Sequence, residues 1–153
     1  MEAVEFGKGK RRKIVLIPGN MMSWRQFVNL IPMLETDFHV IAVSTDGYDG
    51  TGKTTFTTAE TSAEKLELYI GEHLNGRVDL IFGESFGSAT AGTLFHRQKV
   101  QVDSLFMTPV FWIGYCSPIY RCSVWKGPNI WMKRTIRNGS TPKGCSSRES
   151  FSR

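Results

Sequence analysis

The sequence has few cysteines, few histidines and no long hydrophobic run. The three cysteines among its 153 residues are an odd number, which argues against a disulfide framework, and their spacing matches neither a C-x-x-C pair nor a zinc site. No apolar stretch approaches the roughly 20 residues that cross a bilayer. Residues 1–6 are acidic and lack the apolar core of a secretory signal. We therefore expect a cytoplasmic protein with no disulfide scaffold and no membrane span.

Charged residues are distributed unevenly along the chain. The formal net charge is +5, but residues 1–107 contain 11 Lys and Arg against 13 Asp and Glu, whereas residues 108–153 contain 8 against 1. The second segment also lacks a sustained helical or strand period. We expect an irregular, partly disordered basic extension after a folded domain at 1–107. Its charges are scattered and belong to no recognisable module, so no specific nucleic-acid partner is predicted.

Four short apolar runs in the first segment predict strands, and the first of them is typical of a strand buried on both faces of a sheet. They are rich in β-branched residues and bounded by turn residues, and they lie at 13–17, 38–43, 78–82 and 102–107. Helical patterns separate them. The order β-α-β-α-β-α-β predicts an α/β fold with a parallel sheet, right-handed crossovers and helices on both faces.

The first two helices carry recognisable start signals. The first is predicted over residues 23–34, with Ser23 as its N-cap and with Pro32 ending or kinking it. The second follows a Thr57-x-x-Glu60 pattern, which is typical of a capping box.

The pentapeptide Gly83-Glu84-Ser85-Phe86-Gly87 matches the pattern G-x-S-x-G. It follows a predicted buried strand and opens the third predicted helix, so Ser85 would stand on a turn too tight for bulky side chains at Gly83 and Gly87. The Ser85 hydroxyl would then project into the crevice at the carboxyl ends of the strands. The backbone N–H of Phe86 would point to where an oxyanion develops. The motif predicts a nucleophilic serine, and the simpler alternative is a glycine-rich turn with an exposed serine.

Two further segments complete a resemblance to a known family. Ile-Pro-Gly-Asn at 17–20 is similar to an oxyanion loop, and Asp-Gly-Tyr-Asp-Gly-Thr-Gly at 46–52 is similar to an Asp/Gly-rich loop after the next strand. In this order and with the pentapeptide, the sequence resembles the α/β-hydrolase superfamily over about residues 13–107, the N-terminal half of its core.

The resemblance implies an incomplete three-layer α/β-hydrolase core and a serine hydrolase activity. A small-molecule ester, thioester or amide would be cleaved through an acyl-enzyme on Ser85. Phe86 and either Asn20 or Met21 would supply the oxyanion donors. No cofactor or metal is implied.

The histidine that the family places after its serine is missing. His39 is predicted to be a partly buried sheet residue, and His73 a structural residue in the last turn of a helix. His96 lies roughly 16 Å along the helix from Ser85, beyond hydrogen-bond reach. No histidine follows it.

The acid of the family is missing as well. The only carboxylates after the pentapeptide are Asp103, near the start of a strand and so at the wrong end of the sheet, and Glu149 in the polar tail. A serine without a base is a poor nucleophile. We therefore expect impaired or absent activity, and the alternative is a catalytically inactive binding or scaffold protein of the same fold.

A second motif overlaps the Asp/Gly-rich loop. Residues 47–54 match G-x-x-x-x-G-K-[ST], the phosphate-binding P-loop. A β-branched run at 54–58 separates Lys53 from the next helix, whereas a P-loop lysine stands at a helix start. A surface loop is the favoured interpretation, and nucleotide binding is the lesser alternative.

The end of the fourth predicted strand raises two expectations. The change of composition near residue 108 indicates that 108–153 is not the native continuation of the core, as after a reading-frame shift or gene truncation. An incomplete sheet would also expose the strand edge at 102–107, which predicts self-association through that edge.

Overall fold

The computed structural model describes residues 1–108 and the strand at 123–126. Within these residues the chain forms a six-stranded sheet in the order β1-β3-β2-β4-β5-β6. The strands are β1 (Glu2–Phe6), β2 (Arg12–Ile17), β3 (Phe38–Ser44), β4 (Arg77–Gly83), β5 (Gln101–Met107) and β6 (Ser123–Lys126). The helices are α1 (Ile31–Leu34), α2 (Ala59–Leu74) and α3 (Gly87–Arg97), and a 3-10 helix at Trp24–Phe27 precedes α1.

The centre of the sheet has the predicted parallel α/β architecture. Strands β3, β2, β4 and β5 are parallel neighbours. Along β2 the side chains alternate, so that Val15 and Ile17 face α2 and α3, whereas Ile14 and Leu16 face the 3-10 helix and α1. Both faces of this strand are buried, which explains its continuous apolar run. The three-layer prediction is confirmed.

The helix predicted over 23–34 is two separate short helices. Ser23 is the N-cap of the first, as predicted, and its hydroxyl accepts a hydrogen bond from the Arg25 backbone nitrogen at 3.4 Å. Pro32 lies in the first turn of α1, so it begins a helix rather than ending one. The physical reason is that proline lacks an N–H and fits the first turn, where no intrahelical acceptor is needed.

The start of α2 is shifted by one residue from the predicted capping box. Thr58, not Thr57, is the N-cap, and its hydroxyl accepts a hydrogen bond from the Thr61 backbone nitrogen at 3.1 Å. At the other end Asn75 adopts a left-handed conformation. The Gly76 backbone nitrogen then donates to the Ile70 carbonyl at 3.0 Å and closes the helix.

Both outer strands were missed by the sequence analysis. Strand β1 pairs antiparallel with β3. It has only five residues and all of them are half-buried, so its sequence shows no clear alternation of apolar and polar side chains. Strand β6 pairs antiparallel with β5, with Lys126 opposite Ser104 and Ser123 opposite Met107. The open edge predicted at 102–107 is therefore wrong over Ser104–Met107. Apart from Thr108 and β6, the predicted basic extension lies outside the described residues, so its irregular character and the boundary at 107 stay predictions.

Candidate active site

Three parallel strands end at one level of the sheet, and the candidate site lies at their ends. Ile17 is paired with Gly83, and Gly83 is paired with Met107. The segments that follow are 18–22, 84–86 and the residues from 108 onward. Because the carboxyl ends of parallel strands share an edge, the fold brings the predicted oxyanion loop and the Ser85 turn together.

Ser85 lies on the turn between β4 and α3 in a conformation that is rare for a residue with a side chain. Its φ is +49°, in the left-handed region. Such a residue costs on the order of 1–3 kcal/mol and persists where its surroundings fix it. Backbone hydrogen bonds from Gly87 to the Glu84 carbonyl at 2.8 Å and from Ser88 to the Ser85 carbonyl at 3.0 Å close the turn. This is the strand–turn–helix geometry that a G-x-S-x-G elbow requires.

The two glycines of the pentapeptide stand where no side chain fits. A Cβ on Gly87 would overlap the Pro18 carbonyl oxygen and would lie 2.6 Å from that of Ile17. A Cβ on Gly83 would lie 2.8 Å from the Gly87 carbonyl oxygen and 2.9 Å from the Ala91 Cβ. The missing side chains let α3 approach β2 and β4 closely enough to hold the turn.

Thr108, directly after β5, anchors the turn from the opposite side. Its hydroxyl accepts a hydrogen bond from the Ser85 backbone nitrogen at 2.8 Å, and its own nitrogen donates to the Gly83 carbonyl at 3.0 Å. The buried Ser88 hydroxyl lies 2.9 Å from both the Gly83 and the Thr108 carbonyl oxygens. The sequence analysis gave Thr108 no role, because nothing in its local pattern shows which turn it contacts.

Three backbone N–H groups around the turn have no acceptor among residues 1–108. They belong to Phe86, Asn20 and Met21, the residues proposed as oxyanion donors. Met21 also has a positive φ of +59°, and its side chain is exposed. The Phe86 ring packs edge-on against Phe56, with ring centroids 5.4 Å apart. The role of these N–H groups as oxyanion donors stays a prediction.

A small pocket lies beside Phe86 at this end of the sheet. Its wall includes Asp46, whose carboxylate is ion-paired with the Met1 ammonium and, at 2.5 Å, with Lys65. Burial raises the pKa of Asp46, but the hydrogen bonds and charges of Lys65 and Met1 outweigh it, so the net pKa lies below its usual range. A carboxylate held by two cations is a poor proton acceptor for Ser85.

None of the three histidines is positioned to act on Ser85. His39 is buried on β3, as predicted, and lies 2.6 Å from a Glu5 carboxylate oxygen at the far edge of the sheet. His73 and His96 lie in the last turns of α2 and α3. Within the part of the chain that the structure describes, no side chain hydrogen-bonds to the Ser85 hydroxyl.

The only described carboxylate after the pentapeptide lies at the wrong end of the sheet, as predicted. Asp103 is near the start of β5 and forms an ion pair with Arg77 at 2.6 Å. Glu149 lies outside the described residues.

In the P-loop-like segment, side chains of the loop itself form hydrogen bonds within the loop. The buried Asp49 carboxylate accepts hydrogen bonds from the Thr51 backbone nitrogen at 3.1 Å and from the Thr54 hydroxyl at 2.7 Å, and these bonds lower its pKa. The Gly47 backbone nitrogen donates to Thr54 at 2.8 Å. The backbone amides of Thr51 and Lys53 are thus already bonded within the loop, next to a negative charge. Helix α2 begins several residues beyond Lys53.

No group of three His, Cys, Asp or Glu side chains gathers at metal-binding distance within the described residues. None of the helices in the described part of the chain has the length and apolar character needed to cross a bilayer.

Comparisons with solved structures identify the fold. An alpha/beta hydrolase family protein from Desulfitobacterium hafniense is 22% identical with a TM-score of 0.66, over 70% of this chain and 43% of its own. A monoacylglycerol lipase from Paleococcus ferrophilus is 23% identical with a TM-score of 0.62, over 70% and 42%. A hydrolase from Pseudomonas aeruginosa is 15% identical with a TM-score of 0.61, over 82% and 43%.

The described chain therefore has the fold of a partial α/β-hydrolase core, as the sequence predicted. It aligns with less than half the length of each of these three proteins. No protein-family model and no curated protein matches the sequence.

Proposed function

We propose that this chain is the nucleophile-bearing part of a serine hydrolase of the α/β-hydrolase type. The observation that carries the proposal is the left-handed Ser85 on a turn between β4 and α3, flanked by two glycines that admit no side chain. The substrate class is a small molecule with an ester, thioester or amide bond. Hydrolase neighbours with the same fold, one of them a monoacylglycerol lipase, support this class but do not identify the substrate of this chain.

The chemistry follows from the groups at the turn. The Ser85 oxygen bonds to the carbonyl carbon, and the carbonyl oxygen becomes an oxyanion that accepts hydrogen bonds from Phe86 and from Asn20 or Met21. The tetrahedral intermediate then expels the alcohol, thiol or amine with its electron pair, which leaves an acyl-enzyme. Water releases the acid and regenerates the serine.

This mechanism lacks a side chain that would accept the proton of the Ser85 hydroxyl among the described residues. The chain has no histidine after His96, and the described carboxylates near the site are ion-paired or engaged in other hydrogen bonds. Water is then the acceptor, so turnover is slow or absent. Donors and binding alone still leave a residual acceleration of about 10³–10⁴-fold over water in proteases that lack their triad.

The second candidate is a catalytically inactive binding protein that retains the cleft. It is favoured by one observation, the Ser85 hydroxyl that has no hydrogen-bond partner within residues 1–108. The two candidates differ in whether an added base restores reactivity.

Chemical rescue tests the proposal. A fluorophosphonate probe is reacted with the full chain at increasing concentrations of imidazole, which supplies the missing base. We expect labelling to rise with imidazole in the unaltered chain and in His96→Ala, and to be absent in Ser85→Ala. A folded protein that is not labelled at any imidazole concentration would support the inactive binding protein instead.

Three other expectations remain predictions. They are the cytoplasmic location, the absence of a specific nucleic-acid partner, and self-association. Among the described residues, the sheet edges left for self-association are those of β1, of β6 and of the start of β5.

A further inference from the structure

We propose that Gln26 is a positioning residue for the oxyanion loop, a role that rests on the proposed hydrolase function. Its side-chain amide bridges two segments that the reaction needs at a fixed separation. The Gly19 backbone nitrogen donates to its Oε1 at 3.0 Å, and its Nε2 donates to Glu84 Oε2 at 2.7 Å. Gly19 directly precedes the donors Asn20 and Met21, and Glu84 directly precedes Ser85.

The chemistry of this bridge requires an amide. Its partners are an N–H group, which must be given an acceptor, and a carboxylate, which must be given a donor. Glutamate at position 26 would set two carboxylates against each other, and leucine would offer neither group. The same pair of partners fixes which end of the amide is oxygen.

The loop and the turn are also in direct contact. A Cβ on Gly19 would lie 2.5 Å from Glu84 Oε2 and 3.6 Å from the Ser85 Cβ. The Glu84 backbone nitrogen donates to the Ile17 carbonyl at 3.0 Å. The backbone hydrogen bond joins the two segments where they leave their strands. The Gln26 side chain joins them again at Gly19, next to the oxyanion donors.

The 3-10 helix presents Gln26 to this gap. Ser23 caps the helix, and the buried Phe27 anchors it on the sheet next to Phe82, with ring centroids 5.9 Å apart. The buried Phe27 thus holds the backbone of Gln26 in place, while the Gln26 side chain points to the oxyanion loop. A donor displaced by about 1 Å loses much of its stabilisation of the oxyanion, because hydrogen bonds weaken steeply with distance and angle.

The test uses a nucleophile that needs no base. In a chain whose three native cysteines are replaced by serine, Ser85→Cys introduces a thiol that reacts with two reagents. With p-nitrophenyl acetate the sulfur bonds to the acyl carbon through an oxyanion, and nitrophenolate leaves with the electron pair. With iodoacetamide the sulfur displaces iodide at a saturated carbon and forms no oxyanion. The ratio of the two rates therefore reports on the oxyanion donors alone.

We expect Gln26→Leu to lower this ratio by about tenfold or more, since loss of a whole donor costs about 10²–10³ in rate. Glu84→Leu breaks the same bridge from its other end and should lower the ratio equally. Glu84→Gln keeps an acceptor and should preserve it. Gln101→Leu, the same change on an exposed glutamine bonded to Asp103, is the matched control and should leave the ratio unchanged.

The outcomes separate the two proposals. An unchanged ratio in folded Gln26→Leu or Glu84→Leu would overturn the positioning role, even if the melting temperature falls. If the Ser85→Cys chain with Gln26 intact shows no higher ratio than a free thiol in solution, the oxyanion site itself is absent and the proposed function fails. Thermal unfolding of every variant confirms that the rates come from folded protein.

Discussion

The backbone nitrogen of Ser85 donates its hydrogen to the Thr108 hydroxyl at 2.8 Å, across the gap between two neighbouring strand ends. The contact fixes the residue with the least favourable backbone conformation in the turn. It also makes the turn depend on a residue 23 positions further along the chain.

Replacing Thr108 should loosen this turn. Thr108→Val keeps the shape of the side chain but leaves the Ser85 N–H without its acceptor, which costs about 1–3 kcal/mol of unfolding free energy. Thr108→Ser keeps the hydroxyl and should cost less. Urea unfolding of both variants measures the difference, and equal stabilities would show that the bond contributes nothing.

A side chain on Gly87 should destabilise the fold. In Gly87→Ala the new methyl group would overlap two carbonyl oxygens at the end of β2, and such overpacking costs about 1–3 kcal/mol or more.

Gly71→Ala is the matched control for this change. Gly71 is an exposed residue of α2 with open space where a Cβ would lie, so alanine should raise the free energy of unfolding by up to about 1 kcal/mol. In thermal melts we expect Gly87→Ala to lower the melting temperature and Gly71→Ala to raise it. A Gly87→Ala protein as stable as the unaltered chain would contradict the close packing of α3 on β2.

Acid should weaken the attachment of β1. Burial raises the pKa of Glu5, but hydrogen bonds from Tyr69 at 2.8 Å, His39 and Lys8 outweigh it, and the net pKa is lowered. A carboxylate with a lowered pKa in the folded state adds stability above its ordinary pKa near 4.5, and that stability is lost as the pH falls through the folded value.

The measurement is the melting temperature against pH for Glu5→Gln. The melting temperature of the unaltered chain should fall below about pH 4.5, and we expect Glu5→Gln to show a smaller fall, since it lacks the contribution of the Glu5 carboxylate. Glu72→Gln, on an exposed carboxylate of α2, should keep it. Parallel curves for all three proteins would rule out a contribution from the Glu5 network.

Nucleotide titration should show no binding at the P-loop-like segment. The Asp49 carboxylate occupies the centre of the loop, and like charge disfavours a phosphate there. We expect neither ATP nor GTP to give a heat of binding in calorimetry, in the unaltered chain or in Lys53→Ala. Saturable binding that Lys53→Ala removes would instead support the nucleotide interpretation.

Much of the core was readable from the sequence because its signals are local. The continuous β-branched runs of β2 and β3 predicted strands at the centre of a sheet, since a strand covered on both faces is apolar at successive positions. The alternation of these and two further apolar runs with helical patterns predicted the parallel sheet. The pentapeptide predicted Ser85 on a sharp turn, because glycines on both sides of a serine between a strand and a helix are typical of a turn too tight for side chains. Edge strand β1 was not predicted, since one short half-buried segment does not distinguish a strand from a loop.

The tertiary structure alone decided which residues surround the serine. Gln26, Glu84 and Thr108 contact the turn from separate segments, and no spacing along the chain encodes those contacts. The start of α2 at Thr58 rather than Thr57 was likewise settled only in the folded chain. By itself the sequence determined the alternating strands and helices of the core and the absence of a histidine after His96, because periodicity suffices for the first and composition for the second. The α/β-hydrolase type of core was predicted from the resemblance of three ordered motifs. The network that fixes the oxyanion loop against Ser85 exists only once the strands are paired, because its hydrogen bonds join residues that are far apart in the chain.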